Sequence, residues 1–174
     1  MDSAREALIG LRTTVASMTG TAIVETAPDF TPLVGDATMR GILERRWDEC
    51  QRCLGAGANL AAIVMMGGLL EALFVSRANS MTNKSALFRA KATPLDSKTK
   101  KPIDLRDWTL GPYIDVGHEL KWITKSGKAV AAVLRDYRNY IHPQKELSHG
   151  ISLEPGDAHM LWEVAKSITL QILK

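Results

Sequence analysis

From Cys53 to Leu70 the chain runs for 18 residues without a formal charge. A stretch of that kind has to leave water, in a protein core or in a bilayer. Gly55, Gly57 and Asn59 break its beginning, and Glu71 follows at once. The apolar run is therefore too short and too closely flanked by polar groups for a membrane span. The pattern predicts a loop and then a helix over about 59–78. Its apolar residues occur around nearly the whole circumference, so it should be central and buried. Gly67 and Gly68 cost helix propensity, which predicts close approach of a neighbouring helix. Glu71 needs a partner, because a buried carboxylate is costly when unpaired. Arg135 and Arg138 are the candidates; the alternative is a carboxylate that reaches solvent beside Arg77.

The rest of the chain supplies helices to wrap this one. Ala4, Leu8, Leu11, Val15 and Met18 form an apolar seam over 3–18, with Ser3 and Glu6 as a capping box. Gly20, Pro28, Pro32 and Gly35 make 19–36 an irregular linker, packed over the domain through Phe30 and Leu33. Asp36 is a good N-cap for a helix over 37–54, with Met39, Ile42, Leu43, Trp47 and Cys50 inward. A short helix near 83–92 runs into a lysine-rich loop. Helices are predicted over 109–123, over 126–142 with Ser126 as N-cap, and from Pro155 to about 172, with a loop over 143–154. Nothing reads as a strand. The expectation is a single all-α domain, a helical bundle of five to six helices, with 1–36 as N-terminal helix and linker and 37–174 as the core bundle.

Composition narrows the function classes. At 174 residues the chain can bury a real core. Aromatics make up 6%, which argues against a base-stacking platform for single strands. The net charge of +3 permits nucleic-acid binding without demanding it. Asp2, Arg5 and Glu6 interrupt the start, so no signal pattern is read there and the cytoplasm is the default. Cys50 and Cys53 form a CxxC inside a helix pattern, without a preceding strand or a second ligand pair. They read as semi-buried thiols rather than a redox or zinc site. Residues 84–106 carry seven basic groups against Asp96 and Asp104, a local +5. A flexible loop bearing Lys98, Lys100 and Lys101 can contact phosphates without sequence preference; a solvated lysine loop is the alternative.

Chemistry concentrates in Leu134-Arg135-Asp136-Tyr137-Arg138-Asn139-Tyr140-Ile141-His142-Pro143. Leu134, Tyr137 and Ile141 recur at helical spacing. On a continued helix Arg135, Arg138 and His142 share one stripe, with Asp136 and Asn139 at its flanks. The residue before a proline is biased away from the helical region, which predicts His142 at the helix end. An imidazole there can exchange a proton with a hydroxyl or a leaving oxygen. An adjacent arginine can hold a phosphate and stabilise charge that develops in the transition state. The competing reading is an ion-paired surface. No roles are assigned to His118, His149 or His159.

This stretch resembles the signature of the HEPN superfamily, an arginine and a histidine separated by about four to six residues, often with a polar residue after the arginine. Here Arg135 and His142 enclose six residues, and Asp136 is the polar follower. The resemblance extends to Pro28-Asp29-Phe30, to Ile42-Leu43-Glu44-Arg45-Arg46-Trp47, to Gly67-Gly68-Leu69-Leu70-Glu71-Ala72-Leu73 and to Trp108-Thr109-Leu110, so it covers roughly residues 28 to 174. It implies a helical bundle that homodimerises, with the signature helices of two protomers lining one cleft. It further implies a metal-independent endoribonuclease that needs no cofactor, acting on RNA in a toxin–antitoxin, phage-defence or stress system, with an antitoxin or other protein partner. His142 would move protons at the ribose 2′-OH and the leaving oxygen, and Arg135 would stabilise the phosphorane. Asp136 or Asn139 would hold the imidazole or the phosphate. Apart from the resemblance, Glu71 paired with Arg135 or Arg138 would orient the motif helix. Arg138-Asn139 is an alternative arginine–asparagine pair at shorter spacing. Gln144 stands where members paired with a nucleotidyltransferase often carry tyrosine. The competing implication is a non-enzymatic HEPN-like dimeric binding module.

Overall fold

The computed structural model describes residues 25–150 and 153–174. The helix expected over 3–18 lies outside the described residues. Seven helices are present among them: α1 (Ala37–Gly55), α2 (Asn59–Ser80), α3 (Ser85–Arg89), α4 (Leu110–Glu119), α5 (Lys125–Arg138), α6 (Pro143–His149) and α7 (Pro155–Ile172). The architecture is all-α, as expected. The described residues contain no strand, only an antiparallel bridge between Leu95 and Pro102.

The uncharged run places α2 at the centre. Ala62, Ile63, Met66, Leu69, Leu70, Leu73 and Phe74 are fully enclosed, and α1, α4, α5 and α7 all pack against this helix. By length and hydropathy α2 is apolar enough to cross a membrane, and four helices pack against it. Only one of its two central glycines serves close packing. Gly67 is buried under Arg138, whereas Gly68 is exposed and faces open space.

Asp36 caps α1 by accepting from the Met39 N–H at 2.7 Å. The preceding segment is strapped down by its own polar groups. The Glu25 carbonyl accepts from Trp47 Nε1 and Gln51 Nε2, and Lys166 Nζ meets the Glu25 carboxylate at 2.6 Å. Phe30, Leu33 and Val34 are buried beneath it. Across the α1–α7 contact, Trp47 and Trp162 stack edge to face at 4.5 Å. α7 begins at Pro155 with a capping box between Glu154 and the buried Asp157.

Several boundaries differ from the sequence expectation; those at the end of α4, the start of α5 and α6 have local reasons. α4 ends at Glu119 rather than 123. Lys121 takes a left-handed conformation at φ 62°, the Lys121 N–H donates to the His118 carbonyl, and the Trp122 N–H donates to the Gly117 carbonyl. That is the Schellman closure, with lysine where glycine is usual. It turns Trp122 and Ile123 back into the core. α5 starts one residue early because Thr124, not Ser126, is the cap; its hydroxyl accepts from the Gly127 N–H at 3.0 Å. The stretch 143–154, expected as loop, contains α6. Pro143 opens that helix, because a residue without an N–H loses nothing at the first helical position. Gly150, at φ 58°, closes it.

The lysine-rich stretch has local order of its own. Leu95–Pro102 closes into a tight turn around Asp96, whose carboxylate accepts from the Lys98 and Thr99 N–H groups. Those bonds hold the Asp96 carboxyl below the usual range. Lys98, Lys100 and Lys101 stand exposed on it, with Lys100 left-handed at φ 57°.

Candidate functional site around the end of α5

α5 is held at its start by Thr124 and buried along Ala131, Leu134 and Tyr137. Its α-helical ladder stops at Arg138, four residues before the expected end. Asn139–Ile141 tightens into a 3₁₀ turn, in which the His142 N–H donates to the Asn139 carbonyl at 3.1 Å. His142 itself is extended (φ −91°, ψ 108°) and caps α6, its carbonyl accepting from Lys145 and Glu146. It therefore does not end a long helix, and Arg135 and Arg138 are the cations in the last turn of α5.

The single stripe of Arg135, Arg138 and His142 is consequently not formed. The two arginines leave α5 toward different neighbours. Arg138 lies across α2 at Gly67, where a methyl group would come within 2.6 Å of its Cδ. One turn farther along α2 its Nη1 donates to Glu71 Oε2 at 2.6 Å. Glu71 and Arg138 are 32% and 26% exposed, so this ion pair is partly withdrawn from water. Glu71 thus has its partner in Arg138 and not in Arg135. The Glu71 charge also reaches Tyr113, whose phenol is pushed up first by burial and then by that carboxylate.

Arg135 turns toward α4. Its guanidinium rests against Gly111, and its Nε and Nη2 both donate to Asp136 Oδ1, at 2.9 and 2.7 Å. Both side chains of this pair are open to water, Arg135 at 36% and Asp136 at 58%. Asn139 is half-buried, and its N–H closes α5 on the Asp136 and Tyr137 carbonyls. His142 is exposed, and its ring has no hydrogen-bond partner among the described residues. No hydrogen bond or ion pair among the described residues connects the turn of Lys98, Lys100 and Lys101 to the motif.

Two aromatic contacts next to the motif were not legible in the spacing. Tyr137 and Tyr140 stack edge to face at 5.3 Å, and Tyr140 meets the His149 ring at 5.7 Å, with its hydroxyl 3.4 Å from Nδ1. They join the 3₁₀ turn to the end of α6 and so fix where His142 stands. Burial, then Asp136, pushes the Tyr140 phenol up. The two glycine seats, Gly67 and Gly111, were equally part of the site. The signal for the first was a glycine one helical turn before an intrusive carboxylate.

Chemically the arrangement divides. Arg138–Glu71 is a fixed brace between α5 and α2. Arg135 is an exposed guanidinium whose present acceptor, Asp136, an incoming phosphate can replace. His142 is an exposed imidazole free to exchange protons. Among the described residues no three His, Cys, Asp or Glu side chains gather as a metal site. Comparison with family models, with curated proteins and with solved structures finds no match.

Proposed function

We propose that the protein is a metal-independent endoribonuclease of the HEPN type. The observation that carries this reading is the exposed ring of His142 at the break after α5, without a hydrogen-bond partner among the described residues, in the same short motif as the water-accessible Arg135. Arg135 exchanges Asp136 for the scissile phosphate and stabilises the phosphorane. His142 takes the proton of the ribose 2′-OH or returns one to the leaving 5′ oxygen. The 2′ oxygen bonds to phosphorus, the P–O5′ bond breaks, and the products carry 2′,3′-cyclic phosphate and 5′-hydroxyl ends. Asp136 and Asn139 flank the phosphate, while Arg138 and Glu71 position α5. A homodimer that brings two such motifs together, a cytoplasmic setting and a role in a toxin–antitoxin or phage-defence system accompany the proposal, with Lys98, Lys100 and Lys101 as outlying RNA contacts.

A second reading has its own support. The Arg138–Glu71 pair seated on Gly67 is what a motif kept as a structural brace would contain. That suits a non-enzymatic HEPN-like dimeric interaction module.

The test is cleavage of a defined single-stranded RNA by purified protein in EDTA, beside Arg135→Ala and His142→Ala. Cleavage by the unsubstituted protein with cyclic-phosphate ends, reduced about 10²–10⁴-fold by His142→Ala, is the expected result. Equal cleavage in all three samples, or none across a panel of cellular RNAs, sinks the ribonuclease reading and favours the module.

A further inference from the structure

Cations of α5 that reach neighbouring helices are received there in different ways. Lys128 meets Asp115 of α4 at 2.7 Å, and Arg138 meets Glu71 of α2 at 2.6 Å. Arg135 stands two turns after Lys128 on the same face of α5. What it finds on α4, one turn before Asp115, is Gly111, a buried stretch of backbone without a side chain. At this contact α4 gives Arg135 a surface to rest on and no charge to cancel it. Its ion pair is with its own neighbour, Asp136. Consecutive residues on a helix point about 100° apart, so Asp136 has to reach round to the guanidinium and does not set its direction. The contact with α4 does.

That direction has chemical content. A guanidinium can grip two phosphate oxygens through its Nη1–Nη2 end or through its Nε–Nη2 side. A methyl group at Gly111 would stand 3.1 Å from Nη1 and 3.7 Å from Cδ, so this flank of the side chain is the one laid on α4. The end-on grip is obstructed there. Both donors of the Nε–Nη2 side converge on Asp136 Oδ1, at 2.9 and 2.7 Å. One carboxylate oxygen takes two bonds in that arrangement, whereas two phosphate oxygens would take one each.

We propose that Gly111 is a positioning residue: it seats Arg135 so that the Nε–Nη2 side, and not the Nη1–Nη2 end, receives the scissile phosphate. The phosphate in this statement rests on the ribonuclease reading; the seat rests on the geometry alone. The atom that a methyl group would press is the free end of a flexible side chain, which can give without moving a helix. Gly111→Ala therefore displaces the guanidinium and spares the fold, and alanine is the better helix former.

The experiment compares Gly111→Ala with the parent, and repeats the comparison in an Arg135→Lys background. Thermal unfolding is the control for the fold, with Tm expected to stay or rise. Proton–nitrogen NMR follows the arginine Nε–Hε signals as inorganic pyrophosphate is added, that of Arg135 being assigned by its loss in Arg135→Lys. The Arg135 signal is expected to move in the parent and to need more pyrophosphate for the same shift in Gly111→Ala, while that of Arg138, braced on Glu71, stays. Misplacing a reacting group by about 1 Å costs about 10²-fold in rate, so a shift of a few tenths predicts a fall in kcat for RNA cleavage of roughly threefold to tenfold, with KM little changed. In Arg135→Lys there is no Nη1 for the methyl group to meet, so Gly111→Ala is expected to cause no further fall. An Arg135 signal indifferent to pyrophosphate, or equally responsive in Gly111→Ala, overturns the seat whether or not RNA is cleaved. An equal fall in kcat in both backgrounds, or a lowered Tm in Gly111→Ala, assigns Gly111 to packing and overturns the positioning role. A parent that shows the pyrophosphate response and cleaves no RNA overturns the ribonuclease reading and upholds the seat.

Discussion

Gly67→Ala is the substitution most informative about how the motif helix is held. In a helix interior the change from glycine to alanine is worth about 1 kcal/mol of stability in its own right. Here the new methyl carbon would stand 2.6 Å from Arg138 Cδ, 3.2 Å from its Cβ and 3.4 Å from its Cγ. The Cβ contact matters most, because that atom is fixed to the α5 backbone and cannot swing aside. Relief requires α5 to shift or Arg138 to leave Glu71. Overpacking of this kind costs about 1–3 kcal/mol. A half-withdrawn ion pair adds about 1 kcal/mol, between the values for exposed and buried pairs. The net expectation is a loss of about 1–3 kcal/mol, or roughly 2–4 °C in Tm for each kcal/mol at this chain length. Urea denaturation followed by circular dichroism measures it, with an unchanged m-value as the check on two-state behaviour. In an Arg138→Ala background the contacts with Cδ and Cγ are gone and only the 3.2 Å contact with Cβ remains, so the same substitution should cost less than in the parent. The difference between the two backgrounds is the diagnostic. A Gly67→Ala protein more stable than the parent, or an equal effect in both backgrounds, would refute the claim that Gly67 exists to seat Arg138.

Two further outcomes follow from the core. At Gly117 an added methyl meets Phe74 Cε1 at 2.8 Å and Trp122 Cε3 at 3.1 Å, and both rings are buried, so Gly117→Ala should cost about 2–3 kcal/mol in the same denaturation assay. Cys50 is buried, and burial, followed by Cys53 and Glu49, pushes its thiol up to about 12. The folded state then keeps a proton that the unfolded chain releases from about pH 9, so stability should fall as pH rises from about 9 towards 12. A Cys50→Ala protein with the same alkaline slope would contradict this.

The sequence carried the long-range plan better than the local endings. An uncharged run from Cys53 to Leu70, broken at its start by glycines and stopped by Glu71, reads as a central helix, and α2 is at the centre. Asp36 and Pro155 announce their helices because capping chemistry is local. Pro143 misled in one direction. It was read only as a stop, yet the same missing N–H suits the start of a helix, and α6 begins there. The choice between Arg135 and Arg138 for Glu71 was not decidable from periodicity. Three residues on a helix differ by about 60° in facing, and only the gap at Gly67 selects Arg138. The stripe failed for a related reason. It assumed one unbroken helix through His142, and the 3₁₀ turn at Asn139–Ile141 rotates everything after it.

α6 contributes no buried side chain, and it leaves Leu147 79% exposed. Unwinding it would give up the His149 contact on the Tyr140 ring but no buried side chain of its own, so its opening costs less than opening the bundle. α5, by contrast, is fastened to α2 through Arg138 and to α7 through the Thr124–Gln171 bond. His142 is thus the last residue of one cooperative unit and the first of another. Its ring can be re-aimed by an event as small as fraying seven residues, while Arg135, on the rigid side of the joint, keeps its place.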